Sequence, residues 1–140
     1  LLRTELAHHD RNVRSLVFVT HHPPWTNSTV TGDNDVMLQA IVRVFRSCRK
    51  RATWLSGHAH AYERFTDQGR TLVVAGSSGA PRVRLKQGGE VRHTDVVKLG
   101  SPSPFGWLEL EGHDSQAPSM VWRGFTTLTS KVETYDRFDL

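Results

Sequence analysis

An α/β fold with a β-rich C-terminal part is predicted by three features of the sequence. The apolar, β-branched run Leu16-Val17-Phe18-Val19 stands between polar stretches and reads as a strand buried on both faces. An amphipathic stretch follows, with Val36, Leu38, Ile41, Val42, Val44 and Phe45, and then a second short apolar run around Trp54 and Leu55. That helix–strand–helix–strand order predicts parallel strands joined by crossover helices. After Gly69 the pattern changes to short apolar runs separated by Gly, Pro and Ser, which predicts an antiparallel, β-rich tail. The chain therefore divides at residue 69: 1–69 reads as the helix–strand–helix–strand part and 70–140 as the β-rich part of one domain.

Each element has its own local reason. The first ten residues read as the end of a helix, with Leu2, Leu6 and Val13 on one face. The strand over residues 15–20 is stopped by Pro23-Pro24, and residues 25–33 read as a polar loop. Asp33 or Asp35 can cap the next helix, which is predicted to run unbroken to about Cys48. Thr53 to Ser56 is the second strand, ended by Gly57, whose freedom suits a sharp turn. Arg70 to Ala75 is a third, running into Gly76-Ser77-Ser78-Gly79-Ala80-Pro81, read as a turn rather than a phosphate cradle. Further strands are predicted at 83–85, 91–98, 105–111 and 120–125.

Composition excludes several classes. Apolar residues make up 37% of 140, too many for a disordered chain, and no run approaches the ~18 apolar residues of a membrane helix. No leader segment is expected at the start, because Arg3, Glu5 and His8-His9-Asp10 interrupt any apolar stretch. The chain opens on Leu1 within an apparent helix, as a piece of a longer protein would. The net charge is +4, with 18 Lys and Arg against 14 Asp and Glu. The one basic cluster, Arg43, Arg46, Arg49, Lys50 and Arg51, reads as a solvated helix end, so no specific nucleic-acid partner is expected. A single cysteine, Cys48, excludes an internal disulfide and a cysteine-based zinc site.

The eight histidines carry the chemistry. The first strand runs directly into His21-His22, and the second into Gly57-His58-Ala59-His60. Open α/β sheets bind ligands at the carboxyl ends of their strands. Two strand ends thus bring imidazoles to one crevice, and neutral imidazole is a good ligand for zinc, iron or manganese. His8, His9, His93 and His113 read as surface residues, and the four tryptophans as core or site wall. Asn27-Ser28-Thr29 fits an acceptor for N-linked glycosylation in a secreted chain.

The segments Val17-Phe18-Val19-Thr20-His21-His22-Pro23-Pro24-Trp25 and Ser56-Gly57-His58-Ala59-His60-Ala61-Tyr62-Glu63-Arg64 resemble two motifs of the calcineurin-like metallophosphoesterases: a strand leading to His-x-Pro, then Gly-His-x-His. The extension Ala61-Tyr62-Glu63-Arg64 resembles the purple acid phosphatase branch. The resemblance covers roughly residues 1–81. It implies the C-terminal half of a four-layer αββα sandwich with a mixed sheet. It also implies hydrolysis of phosphate esters at a dinuclear metal centre of iron with zinc, manganese or iron. His21 and His58 resemble ligands of the second metal, and His60 a ligand of the first. His22 matches no obligatory ligand and is expected to lie behind the ligands or on the substrate side. Tyr62, Glu63 and Arg64 are expected as outer partners that orient the ligands, with a surface ion pair between Glu63 and Arg64 as the plainer reading.

The family's Asp-x-His, Gly-Asp-x-x-Asp/Tyr and Gly-Asn-His-Glu/Asp motifs belong upstream of His21 and do not occur in the twenty residues there. The resemblance thus implies an N-terminal half of the same domain as partner, and an isolated chain without activity. There is no histidine between His22 and His58 to serve as proton donor. A secreted or extracytoplasmic location follows from the resemblance alone. Competing readings are a phosphodiesterase of the same superfamily, a non-catalytic metal-binding fragment, and an amidohydrolase-type enzyme. The β-rich tail argues against the last.

Overall fold

The computed structural model describes residues 13–99, 104–112, 117–125 and 131–140. The predicted N-terminal helix, with His8 and His9, and also His113, lies outside the described residues. The described residues form eight strands, two short α-helices and a single 3-10 turn at Gly88–Glu90. β1 is Ser15–Thr20, α1 Asp35–Ala40, α2 Val42–Ser47, β2 Arg51–Ser56, β3 Tyr62–Asp67, β4 Arg70–Ala75 and β5 Val97–Lys98. β6 is Phe105–Glu111, β7 Ser119–Phe125 and β8 Glu133–Asp139.

The strands form a five-stranded sheet of order β1-β2-β4-β3-β5 and a three-stranded sheet of order β6-β7-β8. β1 and β2 are parallel, as the crossover pattern predicts, and β4 also runs parallel to β2, although it falls after Gly69 in the part read as antiparallel. β3 runs antiparallel to β4 and β5, and the second sheet is antiparallel throughout. The first sheet packs on both faces. On one, Trp54, Leu72, Val74 and Phe65 meet Val42 and Phe45 of α2. On the other, Tyr62 and Val73 meet Met120, Trp122 and Phe138 of the second sheet. Helices, mixed sheet and antiparallel sheet thus make three layers.

Several expectations are corrected. The helix over residues 36–48 is two pieces, interrupted at Ile41. β1 is not buried on both faces: Leu16 and Phe18 reach the core, but Val17 and Val19 are 42% and 74% exposed, because the second sheet does not extend under this edge strand. The strand predicted at 91–98 shrinks to two residues, and that at 83–85 to one bridge between Ser28 and Leu85. β3 and β8 were not predicted. β3 is joined to β4 by a two-residue turn, Gln68-Gly69, with both residues at positive φ as a type I′ hairpin requires.

The two sheets are joined by a polar tie as well as by apolar packing. Asp136 of β8 accepts hydrogen bonds from the Tyr62 hydroxyl (2.7 Å) and from both arms of Arg64 (2.7 and 3.0 Å). Burial, and then the bond to Asp136, push the Tyr62 phenol well above its ordinary pKa, so it stays a donor. The Asp136 side chain is 6% exposed and that of Arg64 16%. Asp136→Ala therefore leaves a desolvated guanidinium and a buried hydroxyl without their acceptor. It is expected to cost about 3 kcal/mol in urea unfolding. A loss under about 1 kcal/mol would mean that water replaces the carboxylate there.

Candidate metal centre

β1 and β2 are neighbours in parallel, with Thr20 opposite Ser56, so their carboxyl ends deliver His21-His22 and His58 side by side. The amide of Gly57 donates to the His21 carbonyl (3.0 Å), which ties the two strand ends together just before the second histidine. The sharp turn is made by His58 rather than by Gly57: His58 has φ +59°, the left-handed region. Beneath this turn Gly76 approaches so closely that a Cβ on it would lie 2.9 Å from the His60 amide nitrogen, so only glycine fits. Gly76 also donates to Ala61 (3.0 Å). The start of the glycine-rich segment after β4 thus supports the histidine turn.

The fold brings together His21, His22 and His58, each offering one ring nitrogen within 4.8 Å of the others. The rings lie 4.2 to 5.0 Å apart by centroid, and His21 Nε2 is 3.1 Å from His58 Nδ1. A tetrahedral ion at its usual ~2.0–2.1 Å bond length holds two ligand nitrogens about 3.3 Å apart, so this pair already stands close to coordinating separation. The donor set, imidazole nitrogens on an accessible cleft wall, suits zinc or a comparable borderline cation. His58 has its pKa lowered, first by desolvation and then by the neighbouring His22, His21 and His60, so it favours the neutral form that coordinates.

His60 stands apart from this triad. Its Nδ1 lies 2.9 Å from the Pro81 carbonyl, which can only accept, so Nδ1 is the donor and Nε2 is the nitrogen left to coordinate when the ring is neutral. His22 lies in the same cluster, its ring 4.2 Å from that of His58, and it also faces the cleft. A chain of hydrogen bonds holds it: the Trp54 indole donates to Thr20 Oγ1 (2.8 Å), which donates to the His22 carbonyl (2.8 Å). A cleft of about 320 Å³ opens beside the triad, with His22 and His58 on one wall and residues 31–36 on the other.

The Tyr62-Glu63-Arg64 run splits between the two faces of β3. Tyr62 and Arg64 bind Asp136, as above. Glu63 is fully buried on the opposite face, where it accepts from Thr26 Oγ1 (2.6 Å) and from the Asn27 amide (2.8 Å). A surface ion pair between Glu63 and Arg64 is therefore excluded. Asn27 is also fully buried. Its Nδ2 donates to the His93 carbonyl (2.7 Å) and to Asp95 (3.1 Å), while its Oδ1 accepts from the amides of Arg92 and His93. The glycosylation reading of Asn27-Ser28-Thr29 is thereby corrected, since the acceptor nitrogen is enclosed and used.

His93 is not a free surface residue either. It stacks on Trp25 (5.3 Å) and binds Asp33 (2.9 Å), whose other oxygen takes the Thr26 amide, so Asp33 is no helix cap. His93 lies 60 and 68 residues from Asp33 and Trp25, and no local pattern in the sequence announces these contacts.

No protein-family model matches the chain. Purple acid phosphatase 22 of Arabidopsis thaliana is 38% identical over 66 residues, which is 46% of this chain and 15% of the relative. Among solved structures, GAP50, the anchor in the inner membrane complex of Plasmodium, overlaps 99% of this chain and 40% of its own. Its TM-score is 0.68 at 15% identity, which shows a shared fold. Vps29 from Entamoeba histolytica, solved with zinc, is 18% identical over 80% of this chain and 49% of its own; its TM-score of 0.41 is too low to define a common fold. The chain thus spans well under half the length of the phosphatase and of GAP50. The phosphatase likeness supports the metallophosphoesterase superfamily. With the histidine triad, it fits a metal-dependent phosphoesterase at that coarse level.

Proposed function

We propose that this chain is the C-terminal half of a phosphomonoesterase of the purple acid phosphatase type, a four-layer sandwich completed by an N-terminal half. The observation that carries this is the convergence of His21, His22 and His58 at the ends of two adjacent parallel strands. In this reading His21 and His58 hold one metal ion and His60 contributes to the other, with zinc, manganese or iron beside an iron. The upstream half supplies the remaining ligands, and the whole protein is secreted. When bound, the ions supply Lewis acidity toward the phosphoryl oxygens. His22, on the cleft wall, orients the ester against them, and residues 31–36 limit access from the other side.

The test is metal content and hydrolysis of p-nitrophenyl phosphate by the parent protein. Two metals, visible absorption and a preference for the monoester are expected. An enzyme faster on bis-p-nitrophenyl phosphate belongs to the diesterases, and one active without metal refutes the reading.

A pH dependence follows. The histidine ligands coordinate only when neutral, and burial with the neighbouring imidazoles lowers the pKa of His58 below the ordinary imidazole range. Protons compete with the metal for the ring nitrogens, so affinity falls as pH falls, and His58 keeps its neutral form to a pH below the ~6.5 of an ordinary imidazole. Zinc affinity of the chain, followed by competition with a chromogenic chelator, is expected to fall at least ~10-fold between about pH 7.5 and 5.5. A flat profile would place the metal on carboxylates instead.

A further inference from the structure

The structure assigns to Glu63 a task outside the ligand set: it is the positioning residue that holds the His21-His22 strand end in register with the His58 turn. This rests on the reading of the triad as a metal site. Glu63 lies three residues beyond His60, at the start of β3, and its buried carboxylate reaches across to the loop that leaves His21-His22. One oxygen takes the hydroxyl of Thr26 and the other the amide of Asn27. Thr26 Oγ1 in turn accepts from the Ser28 amide (3.0 Å), so the hydroxyl is used in both directions and its orientation is set.

The far side of the same loop is pinned independently. The Asn27 side chain grips the backbone at Arg92 and His93, and Asp33 takes the Thr26 amide. Pro23 and Pro24 are buried between this latch and the histidines. Two prolines fix φ over that span, so a displacement at Thr26 is carried back to His22 rather than absorbed on the way. The latch therefore couples the two motifs from the far side of the loop, in addition to the pairing of β1 with β2, the Gly57–His21 bond and the Trp54–Thr20 bond.

The experiment uses the full chain and zinc, with affinity read by chelator competition under conditions where circular dichroism shows each variant folded. Glu63→Ala is expected to weaken zinc binding about 10-fold, within the range seen when groups behind metal ligands are removed. Thr26→Val, which keeps the shape and removes one of the two bonds, should lose about half that factor on a logarithmic scale. Glu63→Gln should recover part of the loss. In the metal-free protein, the ring signals of His21 and His22 should shift in Glu63→Ala and lose their cross-relaxation with His58. Met120→Ala opens the core of the second sheet and serves as a control: it should lower stability while leaving zinc affinity unchanged. The proposal is overturned if Glu63→Ala and Thr26→Val fold and bind zinc like the unaltered chain, or if Met120→Ala weakens binding as much. If the unaltered chain binds no zinc, it is the metal reading that fails; the ring signals then still decide whether Glu63 positions the histidines.

Discussion

His58→Gly is expected to raise stability while abolishing metal binding. His58 is the centre of the triad, 3.1 Å from a nitrogen of His21 and with its ring 4.2 Å from that of His22. Removing it leaves His21 without the imidazole that faces it from the end of β2. Removing groups that merely orient ligands costs 10–100-fold in affinity, so losing a ligand itself is expected to cost more than ~100-fold. The backbone responds in the opposite sense. A histidine at φ +59° carries the strain of a left-handed conformation, which glycine adopts freely. Relief of that strain is worth about 1 kcal/mol. Zinc titration and urea unfolding of the same preparation test both halves, and His58→Ala, which keeps the strain, separates them. A glycine variant no more stable than the alanine variant would show that the turn is held without cost.

Trp54→Ala is expected to bring the chain close to unfolding. Trp54 is fully buried in the middle of the sheet, stacked on Phe18 (5.9 Å) and edge-on to Phe45 of α2 (5.4 Å). Truncating such a residue costs about 4 kcal/mol, a large part of the ~5–15 kcal/mol of a typical domain. The effect extends to the site, because the indole N–H begins the chain of bonds through Thr20 to the His22 carbonyl. Trp54→Phe keeps most of the packing and lacks that donor, so it should cost less than half as much. A midpoint shift in urea at unchanged slope is the expected signature. A loss below about 1 kcal/mol for the alanine variant would mean that the sheet and helices do not share this core.

Local sequence was enough to determine the strands at 15–20, 53–56 (51–56 in the structure) and 70–75, the parallel pairing of β1 with β2, and the delivery of histidines by two strand ends. Those follow from β-branched runs, from stop signals at Pro23 and Gly57, and from crossover handedness, all of which act over a few residues. The antiparallel tail was legible in the same way, but β8 was not, because its mostly polar residues Glu133–Asp139 lack the alternation that marks a strand. Only the tertiary structure decided that Val17 and Val19 are exposed, since burial of a strand face depends on how far the second sheet reaches. Only it placed His22 with His21 and His58 while His60 turned to Pro81, because both outcomes hang on the left-handed turn at His58 and its close packing on Gly76. And only it showed Glu63, Asn27 and His93 as enclosed partners, since a buried polar side chain is defined by what desolvates it and bonds to it. Those groups come from segments up to 68 residues away along the chain.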